Sequence, residues 1–317
     1  MKSIRSLAVA LALGVAAVVS AQAEAADITV GFVPGTVSDP FFQAMKKGAQ
    51  QAADRLGMKL NWQGSSGEYS PQQQLPFVDA MLANNVSVLI FCPTDPDSMQ
   101  ASVTKAQIQG IPVITVDTTV TDQSSVTSFI TGDNVAGGRQ AAQTLAEQIG
   151  NKGKVFIMAT SPSATTNTLR RQGFEEEMKN HPDIKIVGIQ YSQSQPDRAT
   201  SAVNTVLLDQ PDLAGVFALD GTNTQGAVAA IRNSGKTGKV KLVGYDAYQA
   251  EVDALKDGVV TALVAQRPSE EANMAMEFAL AKVSGKDTDK IQKNAVIPNV
   301  VITKDNLSEN EKYVYSE

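Results

Sequence analysis

Several polar residues fall where short, apolar, β-rich runs stop. The run VITVD ends on Asp117, GVFALD on Asp220 and KLVGYD on Asp246, while TALVAQ ends on Gln266. Ahead of them, the stretch VGFVPGTVSDPFFQAM supplies Asp39 and then the adjacent pair Phe41 and Phe42. An ionised carboxylate only accepts hydrogen bonds, and its two oxygens can hold two neighbouring hydroxyls. Charge-assisted bonds of that sort contribute about 1.5–3 kcal/mol each. The set suits a polyhydroxylated, uncharged molecule. Each aspartate taken singly is as well explained by a helix N-cap or a turn, a common role at that location. It is the group, with a glutamine in it, that points to a ligand.

Arg170, in NTLRRQGF, is the expected balancing cation, whereas its neighbour Arg171 reads as a surface residue. Four acids against one arginine disfavour an anionic ligand such as a sugar phosphate. On a helix over 41–56, Phe42, Met45, Ala49, Ala52 and Leu56 form one apolar stripe, and Phe41 lies outside it at the helix entrance. A sugar presents apolar C–H faces, and an aromatic plane is a good partner for one. The competing reading is that both rings simply plug the top edge of the core.

Other chemistries are excluded or weak. The chain has a single histidine, His181 in a polar loop, and a single cysteine, Cys92 in the apolar run VSVLIFCPT. That rules out most structural zinc sites and argues against Ser-His and Cys-His triads, so no metal, cofactor or catalytic group is expected. Cys92 reads as a small buried hydrophobe. GDNVAGG and GKTGK lack the spacing of a phosphate-binding loop. Glu175, Glu176 and Glu177 are consecutive on a helix and do not share a face, which suits a solvated surface. Trp62 and Tyr69 suit either core or rim. The formal charge of −6 and the lack of a basic cluster argue against nucleic acid.

The elements that must position these residues alternate along nearly the whole chain. Strands are predicted at 28–33, 59–64, 86–92, 112–117 and 127–132, and again at 154–159, 184–190, 214–219, 240–245 and 261–266. Between them lie amphipathic stretches at 41–56, 71–84, 97–109, 135–149, 166–180, 197–209, 223–233, 247–257 and 269–283. Near-continuous apolar strands are those of a parallel sheet covered on both faces, and the alternation means α/β architecture. Two series of strands predict two similar Rossmann-like lobes, each a three-layer α/β/α sandwich with a mainly parallel sheet. Asp133 or Asn134 is expected to cap one helix, and Pro196 to open another. At the N-terminus, Lys2 and Arg5 precede an apolar run from Leu7 to Val19 and then small residues. That is the three-part pattern of a secretory signal over residues 1–25, with cleavage after Ala23 or Ala25. The run is too short to span a membrane as a helix.

With these residues located, the chain resembles the periplasmic solute-binding proteins of the ribose- and galactose-binding type, which serve ATP-driven sugar importers. The markers are SDPFFQAMKKGAQQAADRLG, FCPTDPDSM, IPVITVDT, ITGDNVAGGRQAA, RRQGFEEEM, VFALDGTNTQGAVAAI, LVGYDA and VAQRP, in the family's order and spacing. The resemblance implies a type I periplasmic binding fold with a three-crossing hinge near Thr131–Asp133, Gln266–Pro268 and Pro298–Asn299. The implied lobes are 26–132 with 267–298, and 133–266 with 299–317. It implies a monomer whose ligand contacts come from Asp39, Phe41, Phe42, Asp117, Arg170, Asp220, Asp246 and Gln266. The residues themselves pick out the same positions apart from Phe42. The implied partners are a small neutral sugar or sugar alcohol and the membrane permease of an importer, with a chemoreceptor as the alternative receiver. Four departures stand out: Thr118 replaces an arginine, Asp39 replaces an asparagine, Asp220 stands where asparagine is more usual, and Pro196 replaces an aromatic residue, so that the second aromatic clamp is missing or supplied by a residue such as Tyr191. They favour a pentose other than ribose, a furanose form or a small polyol.

Overall fold

The computed structural model describes residues 28–162 and 164–315. The secretory signal expected over residues 1–25 lies outside the described residues. All ten predicted strands form. They are β1 Thr29–Val33, β2 Lys59–Trp62, β3 Val88–Phe91, β4 Val113–Val116, β5 Ser128–Gly132, β6 Gly153–Ala159, β7 Ile184–Tyr191, β8 Leu213–Ala218, β9 Lys241–Tyr245 and β10 Ala262–Ala265. The helices between them are α1 Pro40–Leu56, α2 Pro71–Ala83, α3 Gln100–Ile108, α4 Asn134–Gln148, α5 Thr165–Met178, α6 Pro196–Asp209, α7 Gly221–Asn233, α8 Gln249–Lys256 and α9 Pro268–Ser284. Two short strands escape the sequence pattern: β11 Asn294–Ile297 and β12 Val300–Ile302. β11 alternates exposed and buried residues, and Pro298 and Asn299 separate it from the three-residue β12, so neither reads as the unbroken apolar run of a doubly covered strand.

The chain divides into two compact units. Among the described residues, the first takes in those up to Ser38, Met45–Ile130 and Ser269–Ala295. The second takes in Asp39–Ala44, Thr131–Pro268 and the chain from Val296 on. Each carries one six-stranded sheet, in the orders β11-β5-β4-β3-β1-β2 and β12-β10-β9-β8-β6-β7. Strands β1 to β5 pair in parallel, as do β6 to β10, and β12 runs antiparallel to β10. Both orders are doubly wound, with the winding direction reversing between β1 and β3 and between β6 and β8. Such sheets bind ligands outside the carboxyl ends of their strands, at that reversal.

In the second unit the alternation of side chains builds two cores. Phe156, Met158, Val216, Ala218 and Leu242 face Ala199, Val203 and Leu207 of α6 and Ala227 and Ile231 of α7. Their strand neighbours Val155, Ile157, Phe217, Val243 and Tyr245 pack with Ala141, Ala142 and Leu145 of α4 and Phe174 of α5. This is a helix–sheet–helix sandwich, and its strands read as unbroken apolar runs because both faces are covered. In the first unit Val33, Leu89, Phe91 and Val113 pack against Val78, Met81 and Leu82 of α2 and Val103 and Ala106 of α3.

One packing detail reaches the site. Helices α4 and α5 touch backbone to backbone through Gly138 and Gly173. A β-carbon added at Gly138 would lie 1.9 Å from the carbonyl oxygen of Arg170, and one at Gly173 would lie 1.9 Å from that of Val135. Neither neighbour is a flexible side-chain end, so the helices would have to separate. Overpacking of this kind costs about 1–3 kcal/mol. Gly138→Ala is expected to lower unfolding free energy by that amount, measured by urea denaturation, and to displace Arg170 with its helix.

Candidate ligand-binding site

In the second unit the strand-end residues converge on the carboxylate of Asp246. It is 4% exposed and follows β9 directly. Its Oδ1 accepts the Gln266 side-chain amide at 2.8 Å and faces the Tyr315 hydroxyl at 3.3 Å, and its Oδ2 accepts the backbone N–H of Gly221 at 3.0 Å. Burial raises its pKa, and the nearby Arg170 guanidinium opposes that rise. The backbone of Asp246 is left-handed, at φ 73°, while its N–H bonds Val264 O of β10 at 2.9 Å. The residue thus leaves the sheet sharply while its amide stays tied to the neighbouring strand.

Arg170 is 2% exposed and lies in the interior of the second unit. Its Nε donates to Asn134 Oδ1 at 2.8 Å, and its Nη1 donates to the carbonyl of Leu219, just beyond β8, at 2.8 Å. The guanidinium carbon sits 3.8 Å from the centroid of the Tyr245 ring. Asp133 rather than Asn134 is the cap of α4, accepting the Ala136 N–H at 3.0 Å. That leaves the buried Asn134 side chain to orient the arginine. Arg171 turns outward and pairs with Glu175 at 2.7 Å. Tyr191, the last residue of β7, stands within electrostatic reach of Arg171.

Asp39 and the two phenylalanines belong to the second unit by their contacts. Asp39 Oδ1 accepts the Phe41 N–H and the Tyr248 hydroxyl, each at 2.8 Å. Burial pushes its pKa up to about 6 against those two hydrogen bonds, with Asp246 and Asp220 adding repulsion. Phe41 and Phe42 are both buried and meet edge to face at 5.1 Å. Phe41 also meets the Tyr315 ring at 6.0 Å. Asp220 is the N-cap of α7: it accepts the Asn223 N–H at 2.9 Å, both oxygens take the Asn223 amide, and Thr160 Oγ1 donates at 2.7 Å. Its acceptor positions are largely filled by the protein. The cap role that the sequence also allows for such an aspartate is thus present at Asp220.

In the first unit Asp117 follows β4 as Asp246 follows β9. It too is left-handed, at φ 62°, and its N–H bonds Ile130 O of β5 at 2.8 Å. Cys92, fully buried, donates its thiol toward Asp117 Oδ2 at 3.5 Å and lies 3.1 Å from Thr118 Oγ1. Tyr69 brings its hydroxyl to 3.7 Å from that sulfur. Burial and the Asp117 charge raise the Cys92 pKa well above its ordinary value, so the group is a neutral thiol. The buried Gln74 amide donates to Pro34 O at 2.9 Å and Cys92 O at 2.7 Å, joining the ends of β1 and β3 where the winding reverses.

A family model, the periplasmic binding protein domain, matches residues 30–287. The chain belongs to that family. A ribose import binding protein of Salmonella typhimurium is 32% identical over 292 residues, 92% of this chain and 95% of that protein. The D-allose-binding periplasmic protein of Escherichia coli is 28% identical over 278 residues, 84% of this chain and 89% of the other. A solved ABC transporter solute-binding protein from Agrobacterium vitis, bound with alpha-D-tagatopyranose, aligns with a TM-score of 0.87 at 32% identity. That alignment covers 92% of this chain and 100% of the other. In this member of the family, Tyr248, Tyr315, Asn134 and the polar role of Cys92 have no sequence pattern that announces them. Tyr248 alone carries a hint, standing two residues beyond a strand-end aspartate.

The acid cluster makes stability depend on pH. Asp39 holds its proton in the folded chain up to about pH 6 against an ordinary carboxyl value of 3.8. Between those values the folded state binds more protons than the unfolded one, so stability falls as pH rises through that window and levels off above it. Asp39→Asn keeps an acceptor for Phe41 and Tyr248 and cannot ionise. Its melting temperature is expected to gain on the wild type between pH 4 and pH 7; parallel curves for the two proteins would refute the assignment.

Proposed function

We propose that this protein captures a neutral monosaccharide or small polyol in the periplasm and hands it to the permease of an ABC-type importer. The observation that carries this reading is the matched pair Asp117 and Asp246. Each is a buried carboxylate at the end of the fourth strand of its sheet, on a left-handed backbone tied to the fifth. Backbone strain of that kind costs on the order of 1–3 kcal/mol and gathers at ligand clamps. The sugar names borne by the relatives support the same ligand class.

In this proposal Asp39, Phe41, Phe42, Arg170, Asp246 and Gln266 are ligand contacts of the second unit, and Asp117 is a ligand contact of the first. Asp220, occupied in capping α7, supports the site through Thr160 and Asn223. Carboxylates accept the hydroxyls, Arg170 offsets the charge and the phenylalanine rings meet the C–H faces. Thr118 in place of an arginine leaves the set less cationic, which favours a pentose other than ribose, a furanose form or a polyol. The relatives are binding components of transport systems, which supports capture without turnover. The protein works as a monomer in this scheme.

A thermal-shift screen over pentoses, hexoses, furanoses and polyols is expected to yield a ligand that raises the melting temperature with concentration. By calorimetry, Asp246→Ala and Arg170→Ala are each expected to weaken that ligand by roughly a hundredfold or more, since each leaves a buried charge unmatched. Unchanged affinity in both variants, with an unchanged circular dichroism spectrum, would remove these residues from the site.

A further inference from the structure

Tyr315 has no part in the set above, yet it reaches the centre of it. It follows the short helix α10 Leu307–Asn310 and a 3-10 turn at Glu311–Tyr313. Its N–H donates to Ala247 O at 2.9 Å, and it forms a parallel bridge with Tyr248, so the segment docks by its backbone just past β9. The side chain is 5% exposed. Its hydroxyl accepts the Gln266 N–H at 3.0 Å and lies 3.3 Å from Asp246 Oδ1 and 3.2 Å from Gln266 O. The ring meets Phe41 at 6.0 Å and Tyr248 at 5.8 Å.

Packing alone asks for a ring here and not for a hydroxyl, since phenylalanine fills the same space. A hydroxyl has one proton to give, and an ionised carboxylate is the stronger of its two acceptors. Donated to Asp246, that proton closes a ring of bonds: Gln266 main chain to Tyr315, Tyr315 to Asp246, and Gln266 side chain to the same carboxylate oxygen. Two residues of the proposed ligand set are thereby fixed relative to each other by a third.

We infer that Tyr315 is a ligand-positioning residue, holding the Asp246 carboxylate and the Gln266 amide in the orientation in which they meet the ligand, while its ring backs Phe41. This rests on the function proposed above. It makes the C-terminal segment part of the binding site rather than a trailing edge of the sheet.

The test is Tyr315→Phe, which keeps the ring and removes only the hydroxyl. Two readouts are taken. The first is calorimetric affinity for the sugar or polyol that the wild type selects, with melting temperature alongside; a loss of roughly tenfold is expected at little change in melting temperature. The second is the titration of Asp246 in the ligand-free protein, followed by NMR of 13C-labelled aspartate. The other titratable groups around Asp246 are Arg170, which favours its ionised form, Asp220, which opposes it, and Asp39 and Glu251, whose own pKa values are raised by burial and by the Asp246 charge. Tyr248 stands beside them as a neutral phenol. All of these are unchanged by the substitution, so loss of the hydroxyl is expected to move the Asp246 midpoint upward. The inference is overturned if either readout stays at the wild-type value. Should the wild type bind no neutral sugar or polyol while the midpoint still moves, the sugar reading fails and the positioning of Asp246 by Tyr315 stands.

Discussion

A carboxylate taken out of water has to be matched, and much of the second unit follows from matching one. The effective penalty for burying such an ion is several kcal/mol. Asp246 meets it with donors of three different origins: a side-chain amide from the end of β10, a backbone N–H at the start of α7 and a hydroxyl from the C-terminal segment. Charge-assisted bonds contribute about 1.5–3 kcal/mol each, so the three together are of the size the burial demands. Arg170 supplies the countercharge, and the contact of Gly138 and Gly173 lets its helix sit close enough to deliver it. Removing any one of these leaves the others facing an unmatched charge.

The first unit repeats the device with different chemistry. Asp117 occupies the same step of the winding and has the same left-handed turn and the same amide bond to the next strand. Its neighbours are softer: a thiol and a threonine hydroxyl, with Tyr69 behind them. Repetition of backbone geometry without repetition of side chains is what a doubled fold with a specialised ligand requires. The strand-end turn aims the carboxylate, and the surrounding residues tune it. The second unit gathers Asp39, Asp220, Asp246 and Glu251 within electrostatic reach of one another, against one guanidinium. Such a field repels anions. It suits a hydroxylated neutral molecule, as proposed, because hydroxyl protons can satisfy carboxylates without adding charge.

How much of this was legible in the chain differs by level. The ten strands and the helices between them follow from the alternation of apolar runs with amphipathic stretches, most plainly where a central strand such as β3 or β9 is covered on both faces. β11 has alternate residues exposed and β12 is three residues long, so neither shows that unbroken apolar run. Asp117, Asp246 and Gln266 could be placed at strand ends because the last polar residue of an apolar run marks the strand's carboxyl end, where the doubly wound rule looks for a ligand. Asp220 satisfied the same rule and turned out to cap a helix, since the signal for a cap and the signal for a contact are one aspartate at one place. Arg170 and Arg171 stand side by side in sequence; only the packing of α4 on α5 decides that one is buried on Tyr245 and the other pairs with Glu175 at the surface.

The amino-acid sequence by itself determined the class of fold, the strand ends and the sign of the charge gathered there, because these depend on local period and composition. Tertiary structure alone decided which donors answer each carboxylate. Tyr315 lies 69 residues from Asp246, Asn134 lies 36 from Arg170 and Tyr248 lies 209 from Asp39. Hydrogen bonds across such separations are set by the folding of whole sheets, and no local pattern of residues encodes them.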